Sequence, residues 1–186
     1  MGLKHEHDHH HDPSRLWSRQ ETRLAQAREW WAWAGGREGA RVADVGCGPG
    51  FLALQYAAWA GPRGHVLALD VDEDALAFLR ARAGPHVEAR RFDAQKERLA
   101  DPVDIIFVTH VLHHAGDPAA ALRNLRGEGR TLLVADYDPT GAGEFGPPLN
   151  ERIAPARLSA LLREAGWTPE GPPRAQADEQ YAIVAR

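Results

Sequence analysis

Three glycines spaced two residues apart, Gly46, Gly48 and Gly50, are the first place where this sequence could bind a ligand through its backbone. They follow an apolar run that ends at Val45 and precede a helical pattern, and a glycine turn there lets a ligand approach the peptide groups. Asp70 ends the next apolar run, where a carboxylate can accept both hydroxyls of a ribose. Together these features predict a site for a nucleotide-like cofactor.

Asp44 stands two residues before the first glycine, so the loop is D-x-G-x-G-x-G rather than the G-x-G-x-x-G of nicotinamide and flavin enzymes. A carboxylate beside the loop repels the negatively charged pyrophosphate of a dinucleotide, whereas the positively charged sulfonium and ammonium groups of SAM tolerate it. The charge of Asp44 therefore favours S-adenosylmethionine (SAM) over a dinucleotide.

The elements that must position these residues are short apolar runs, most of them followed by a helical stretch, which is typical of βα units around a parallel sheet. We predict strands over residues 41–45, 65–69, 87–91, 103–108, 130–135 and 181–185. We predict helices between them over residues 51–60, 73–83, 118–125 and 155–165. Prolines at positions 169, 172 and 173 indicate that the partner of the last strand is short or irregular.

The motifs of class I SAM-dependent methyltransferases resemble, in order, four stretches of this sequence: VADVGCGPG, LALDVDEDAL, RRFDAQ and VDIIFVTHVLHH. The resemblance runs from about Val42 to Val134, and the looser tail resembles the small-molecule branch related to quinone-biosynthesis (type 11-like) methyltransferases. It implies an α/β fold with a doubly wound, mostly parallel, seven-stranded Rossmann-like sheet whose last strand is antiparallel. It also implies methyl transfer from SAM to a small metabolite by in-line displacement, with S-adenosylhomocysteine as product.

The same resemblance implies how individual residues hold the cofactor. Asp44 would hold the aminoacyl ammonium, and the glycine loop would face the methionine part. Asp70 would bind the ribose, and the residues after it and around Asp93 would contact the adenine. The implied cofactor-binding residues are Asp44, Gly46, Cys47, Gly48, Gly50, Asp70, Val71, Asp93, Ala94, Thr109 and His110.

Methyl transfer from a sulfonium starts with an activated leaving group, so alignment in a dry site matters most and a general base is optional. In the family that the sequence resembles, residues after the fourth and fifth strands face the acceptor. The catalytic candidates are therefore His110 and Tyr137, with His113, His114 and Asp138 in the same loops. The alternative for Tyr137 and for the last three is an ordinary role in a turn or loop.

Composition and charge exclude several classes of function. A net charge of −4 with scattered arginines provides no basic stripe, so we expect no nucleic-acid partner. Cys47 is the only cysteine, which rules out an intramolecular disulfide and a cysteine-based zinc site. No apolar run approaches the roughly 20 residues of a membrane span, and we expect a cytoplasmic protein without membrane contact.

We divide the chain into a flexible His-rich arm over residues 1–13, a lead-in or lid helix within 14–36, and a SAM-binding domain over 37–186. Ser18 and Glu21 have capping-box spacing, and apolar residues at helical intervals then predict one amphipathic helix. Its tryptophans make it a lid candidate, although plain packing on the sheet is favoured for Trp30 and Trp31. We expect no metal site, because the arm lacks tetrahedral spacing; its weak candidate ligands are His5, His7, His9, His10 and His11.

Two other functions stay open on the sequence alone. The chain could be a non-catalytic SAM-binding module, since no base or acceptor pocket is provable from the residues. A nicotinamide-dependent oxidoreductase also stays open, because such enzymes use glycine-rich loops too, but it is the less favoured alternative. The short chain has little material to enclose an acceptor, which makes a homodimer possible.

Overall fold

The computed structural model of the chain describes residues 12–127 and 130–186, in which seven strands form one sheet. In chain order, the strands are Arg41–Val45 (β1), His65–Asp70 (β2), Val87–Arg91 (β3), Ile105–Thr109 (β4), Thr131–Tyr137 (β5), Arg174–Ala175 (β6) and Gln180–Ala185 (β7). The predicted strands are all present, and the short partner expected for the last strand is the two-residue β6.

The order of the strands across the sheet is β3-β2-β1-β4-β5-β7-β6. Pairs among β1 to β5 are parallel, whereas β7 runs antiparallel to both of its neighbours, β5 and β6. The predicted seven-stranded, mostly parallel sheet with an antiparallel last strand is therefore confirmed. The direction of winding reverses between β1 and β4, and open α/β sheets bind ligands at the carboxyl ends of strands beside such a switch.

Six α-helices surround the sheet in the described ranges. They are Pro13–Glu21 (α1), Leu24–Trp33 (α2), Phe51–Ala60 (α3), Glu73–Arg80 (α4), Pro118–Asn124 (α5) and Pro155–Glu164 (α6). The ends of the strands and helices after residue 40 differ from the predicted ones by at most three residues. None of the helices in residues 12–127 and 130–186 combines the length and apolar composition needed to cross a membrane.

Both faces of the sheet are covered, and β4 shows this most clearly. Ile105 and Phe107 join the apolar cluster beneath α2, α3 and α4, whereas Ile106 and Val108 join the cluster beneath α5 and α6. A parallel strand that is buried on both sides must be apolar at every position rather than at alternate positions. This requirement explains the continuous apolar run from which the fourth strand is predicted.

The prediction of a single lead-in helix within residues 14–36 is wrong, because two helices, α1 and α2, occupy this segment. The Asp12 side chain caps α1 by accepting a hydrogen bond from the Ser14 N–H, so Ser18 lies inside the helix rather than at its start. Thr22 Oγ1 donates to the Arg19 carbonyl where α1 ends. A break at Thr22 and Arg23 lets α1 and α2 contact different parts of the molecule.

Candidate cofactor and acceptor site

The glycine loop joins β1 to α3 and has a backbone conformation that glycine adopts without strain. Gly46 and Gly50 have φ angles of 74° and 86°. A Cβ atom on Gly46 would lie 2.2 Å from Val111 Cγ2, and one on Gly50 would lie 2.4 Å from Leu79 Cδ1. Only the backbone fits at these points, which brings peptide groups to the carboxyl ends of β1 and β4.

Asp44, near the end of β1, is a carboxylate whose surroundings disfavour its charge. The residue is 2% exposed, and its Oδ2 has no hydrogen-bond partner in the described part of the chain. Burial, with a further contribution from the charge of Asp70, raises the pKa of Asp44 from 3.8 to about 7. A nearby cation would restore the ionised form. This environment fits the positively charged groups of SAM.

Asp70, at the end of β2, ties the glycine loop to the neighbouring strand. Its Oδ2 accepts a hydrogen bond of 2.7 Å from the Gly48 N–H, and its Oδ1 accepts one of 3.0 Å from the Asp72 N–H. Burial raises the pKa of Asp70, and these backbone donors oppose the rise. Val71 follows with 54% of its surface exposed, so an apolar side chain is available beside the carboxylate.

Asp93 follows β3 and already has partners for its carboxylate. Lys96 Nζ lies 2.9 Å from Oδ2, and the Gln95 N–H donates to Oδ1 at 3.0 Å. The hydrogen bond from Lys96 is the main reason why the pKa of Asp93 is lowered. The neighbouring Ala94 carbonyl accepts from Asn124 Nδ2 at 2.9 Å. An adenine amino group at Asp93 would therefore share the carboxylate with these donors.

His110 follows β4 and has a φ angle of 59°, a left-handed conformation that is uncommon outside glycine. Its ring centroid lies 5.8 Å from that of Trp30 and 4.8 Å from that of Tyr137. Nε2 lies 2.9 Å from Gln180 Oε1, whereas Nδ1 is buried without a hydrogen-bond partner among the described residues. Burial, and next the charge of Arg23, lowers the pKa of His110 well below its usual value, so the imidazole is neutral.

Tyr137, at the end of β5, connects the sheet to the break between α1 and α2. Its hydroxyl accepts a hydrogen bond of 2.9 Å from Arg23 Nη2, and the residue is only 5% exposed. A Cβ atom on Gly146, whose φ angle is 74°, would lie 2.6 Å from the Tyr137 ring. The loop between β5 and α6 therefore packs directly on this ring.

His113 and Asp136 form a buried pair beside Tyr137. His113 Nδ1 lies 2.7 Å from Asp136 Oδ1, and the two side chains are 4% and 1% exposed. Asp136 Oδ1 also accepts a hydrogen bond from the Tyr137 N–H, and its Oδ2 is without a partner in the described residues. A carboxylate that accepts from Nδ1–H fixes the tautomer of an imidazole and leaves Nε2 to receive a proton.

Comparison with known proteins agrees with this geometry. A family model described as a methyltransferase domain matches residues 42–127. A trans-aconitate 2-methyltransferase from Azoarcus (strain BH72) is 34% identical, over 70% of this chain and 54% of that protein. A ubiquinone biosynthesis O-methyltransferase from Xylella fastidiosa (strain 9a5c) is 33% identical, over 69% of this chain and 61% of that protein. In sequence, the chain is similar to methyltransferases.

The chain spans only 54% and 61% of the length of those two curated relatives. A solved structure of a SAM-dependent methyltransferase from Aquifex aeolicus matches a larger share. Its TM-score is 0.81 at 23% identity, and the alignment covers 94% of this chain and 98% of that chain. The likeness shows that the methyltransferase fold extends over nearly the whole chain.

The helix α1 lies across the glycine loop and is held there by Gln20. Gln20 Nε2 donates to the Cys47 carbonyl at 2.8 Å, and Gln20 Oε1 accepts from the Phe51 N–H at 2.9 Å. The Trp17 ring packs edge-on against Phe51, with centroids 5.2 Å apart, and lies 5.8 Å from Phe78. One side chain of α1 thereby pairs a carbonyl of the loop and the first N–H of α3.

We expect Gln20→Ala to lower the free energy of unfolding by about 1 to 2 kcal/mol, because it leaves the Cys47 carbonyl and the Phe51 N–H without these partners. Urea denaturation without SAM measures the change. Gln55→Ala on α3 is the matched control, since no side-chain hydrogen bond of Gln55 is found in the described ranges. Equal stabilities for the two variants would show that Gln20 does not hold α1 on the loop.

Most side chains implied by the family resemblance lie at neighbouring strand ends. Asp44, Asp70 and the glycine loop are in contact through backbone and charge. Thr109 ends the adjacent β4, and His110 follows it. Cys47 is 1% exposed, and burial is the main cause of a thiol pKa well above its usual value, so the side chain packs as an inert apolar group.

Other candidates lie apart from this cluster or outside the described residues. Asp138 Oδ1 accepts hydrogen bonds from the Thr140 N–H and hydroxyl, which is a turn-forming role. His114 is exposed at the end of the short helix Leu112–His114. The five histidines proposed as weak metal ligands lie in residues 1–11, outside the described ranges. Within those ranges, no group of three or more His, Cys, Asp or Glu side chains could hold a metal ion.

Four residues of the site are absent from the candidates that the sequence predicts: Gln20, Arg23, Asp136 and Gln180. They reach the site through contacts with residues 23 to 114 positions away in the chain. For Asp136 alone the sequence gives an indirect indication, because this residue directly precedes the candidate Tyr137 at the end of β5.

Proposed function

We propose that this chain transfers the methyl group of SAM to an oxygen atom of a small metabolite. The observation that carries the proposal is the buried, unpartnered carboxylate of Asp44 beside a loop that only glycine can form. A cationic ligand is the partner that this carboxylate requires. The names of two relatives, a ubiquinone biosynthesis O-methyltransferase and a trans-aconitate 2-methyltransferase, support a small acceptor and, for the former, oxygen as the acceptor atom.

The residues around the glycine loop would bind and orient the donor. When bound, SAM supplies a methyl group on a positively charged sulfur, so the leaving group needs no protonation. Asp44 provides negative charge, Asp70 provides acceptor oxygens toward a ribose, and the exposed Val71 provides an apolar surface. The chain therefore contributes mainly alignment and the exclusion of water.

The His113–Asp136 pair would act on the acceptor. A hydroxyl group becomes a better nucleophile as it loses its proton, and a positioned histidine can take that proton at Nε2. Asp136 holds Nδ1–H at 2.7 Å and would stabilise the imidazolium that forms. The proton would thus pass from the acceptor hydroxyl to His113 as the oxygen–carbon bond forms and the sulfur–carbon bond breaks, with S-adenosylhomocysteine as the leaving group. His110 and Tyr137, the catalytic candidates from the sequence, would instead line the acceptor side.

Methyl-labelled SAM incubated with a metabolite extract and the full chain tests the proposal. We expect label in an O-methylated small molecule, identified by mass spectrometry, together with S-adenosylhomocysteine. Calorimetric titration with SAM and with NADPH is run in parallel. SAM binding without any labelled product would favour a non-catalytic SAM-binding module, and saturable NADPH binding without SAM binding would favour an oxidoreductase. Either result would overturn the proposed activity.

A further inference from the structure

Arg23 is a cation beside the acceptor side of the site, and the only hydrogen-bond partner of its guanidinium among the described residues is the Tyr137 hydroxyl, 2.9 Å from Nη2. The other half-buried or buried arginines are held differently. Arg152 contacts Glu179 at 2.5 Å, and Arg90 contacts Asp101 at 2.5 Å. The half-buried Arg126 and the buried Arg130 donate to backbone carbonyls instead. Among these five arginines, the guanidinium of Arg23 alone has neither a carboxylate nor a carbonyl as acceptor in the described residues.

Three acidic side chains at the end of β5 and in the turn before β7 have other partners. Asp178 accepts a hydrogen bond of 3.4 Å from Gln26, which lies one turn along α2. Asp136 is held by His113, and Glu179 is held by Arg152. None of these pairs leaves a carboxylate directed at Arg23 in residues 12–127 and 130–186. The positive charge of Arg23 is consequently available to a ligand.

The surroundings of Arg23 describe what kind of ligand would fit. Tyr137 presents its hydroxyl to Arg23 and its ring to His110, and Trp30 lies on the same imidazole. Nε2 of His110 faces Oε1, the side-chain amide oxygen of Gln180, and therefore carries the hydrogen. Nδ1 then carries the free lone pair and can accept a hydrogen bond. The site thus offers one cation, one buried hydrogen-bond acceptor and two aromatic side chains.

We propose that Arg23 binds a carboxylate of the methyl acceptor, so that the substrates are small hydroxy acids. Guanidinium and carboxylate match in shape, and two parallel N–H···O bonds give both affinity and orientation. Arg23 is also the N-cap residue directly before α2, and no side chain caps this helix. The positive end of the helix dipole therefore adds to the attraction for an anion. An anionic acceptor would further balance the positive charge that SAM brings. This inference rests on the proposed function.

Calorimetry on the full chain saturated with S-adenosylhomocysteine tests the assignment. The probes are two acids and their neutral amides: 4-hydroxybenzoate with 4-hydroxybenzamide, and malate with malamide. We expect at least one acid to bind about 10-fold more tightly than its amide, and Arg23→Gln to abolish that preference. Arg23→Lys should retain part of it. The matched control is Arg28→Gln, which should retain the whole preference. Arg28 is an exposed arginine of α2 whose guanidinium lies over the Trp59 ring of α3.

Two results would overturn the assignment: neither acid binds more tightly than its amide, or the preference persists in Arg23→Gln. Each variant is also titrated with S-adenosylhomocysteine alone, and the acids are titrated without it. Intact cofactor binding with no acid preference would refute the role of Arg23 and leave the proposed methyl transfer standing. Acid preference in a chain that does not bind S-adenosylhomocysteine would refute the proposed methyl transfer and support Arg23 as an anion site.

Discussion

Replacing Asp44 with asparagine is expected to weaken SAM binding by at least about 100-fold and yet to stabilise the cofactor-free protein at about pH 8. The carboxylate is 2% exposed, and one of its oxygens has no hydrogen-bond partner in the described residues. Its negative charge is therefore costly until a cation binds. Asparagine keeps the shape of the side chain but removes both the cost and the attraction.

The gain in stability has a defined dependence on pH. The pKa of Asp44 is raised from 3.8 to about 7 in the folded protein, so folding with a protonated Asp44 is favoured and stability is lost as the pH rises toward 7. Asp44→Asn does not undergo this loss. The two proteins should have similar stability near about pH 4, and the advantage of the variant should grow and then level off above pH 7, at no more than about 4 kcal/mol.

Urea unfolding at about pH 5 and about pH 8, together with calorimetric titration of SAM, measures both effects. Asp117→Asn is the matched control, because Asp117 is an exposed cap of α5 and asparagine caps a helix equally well. Unchanged SAM affinity in Asp44→Asn would remove Asp44 from the cofactor site. An equal change in stability at the two pH values would show that its charge is not the source of the effect.

Replacing His113 with glutamine is expected to lower kcat for the identified acceptor by about 10²- to 10⁴-fold, with little change in affinity for SAM. The reason is that His113 would take the hydroxyl proton, whereas Asp44 and Asp70, the carboxylates proposed to hold SAM, lie on β1 and β2. Asp136→Asn should also lower kcat, because the carboxylate that accepts from Nδ1 is lost. Initial rates of methyl transfer, measured over a range of acceptor and SAM concentrations, separate the two effects.

The control for this pair of variants is His65→Gln. His65 begins β2 at the amino end of the sheet, opposite to the site, and its side chain lies 3.7 Å from Glu88. Thermal unfolding of each variant establishes that it is folded. A kcat for His113→Gln within about threefold of wild type would exclude His113 as the base, since a positioned base contributes far more than that.

The cofactor half of the molecule is predictable because its signals are local. Glycine is required where a Cβ on Gly46 or Gly50 would collide with a neighbouring side chain, and glycine is visible in the sequence. β1 and β2 end at the residues where the apolar runs end, so the placement of Asp44 and Asp70 follows from strand order alone. The parallel sheet itself follows from fully apolar strands such as β4.

The acceptor half is not predictable in the same way. Arg23 meets Tyr137 across 114 positions of chain, and His110 meets Gln180 across 70 positions. Neither Arg23 nor Gln180 belongs to a sequence pattern or spacing that would predict such a contact. The break between α1 and α2 was hidden as well, because Ser18 and Glu21 satisfy a capping-box pattern inside a helix that Asp12 already caps.

The side chains that surround His110 come from α2, from the break before it, from β5 and from β7, and all of these lie outside residues 42–127, which the family model matches. Under the proposed function, the residues that would hold SAM and most of those that would line the acceptor side are thus encoded in different stretches of one chain. Directed evolution of substrate range can consequently randomise positions such as Arg23, Tyr137 and Gln180 while the donor-binding segment keeps its sequence. If the proposed methyl transfer holds, such variants would keep the leaving group and change only the nucleophile.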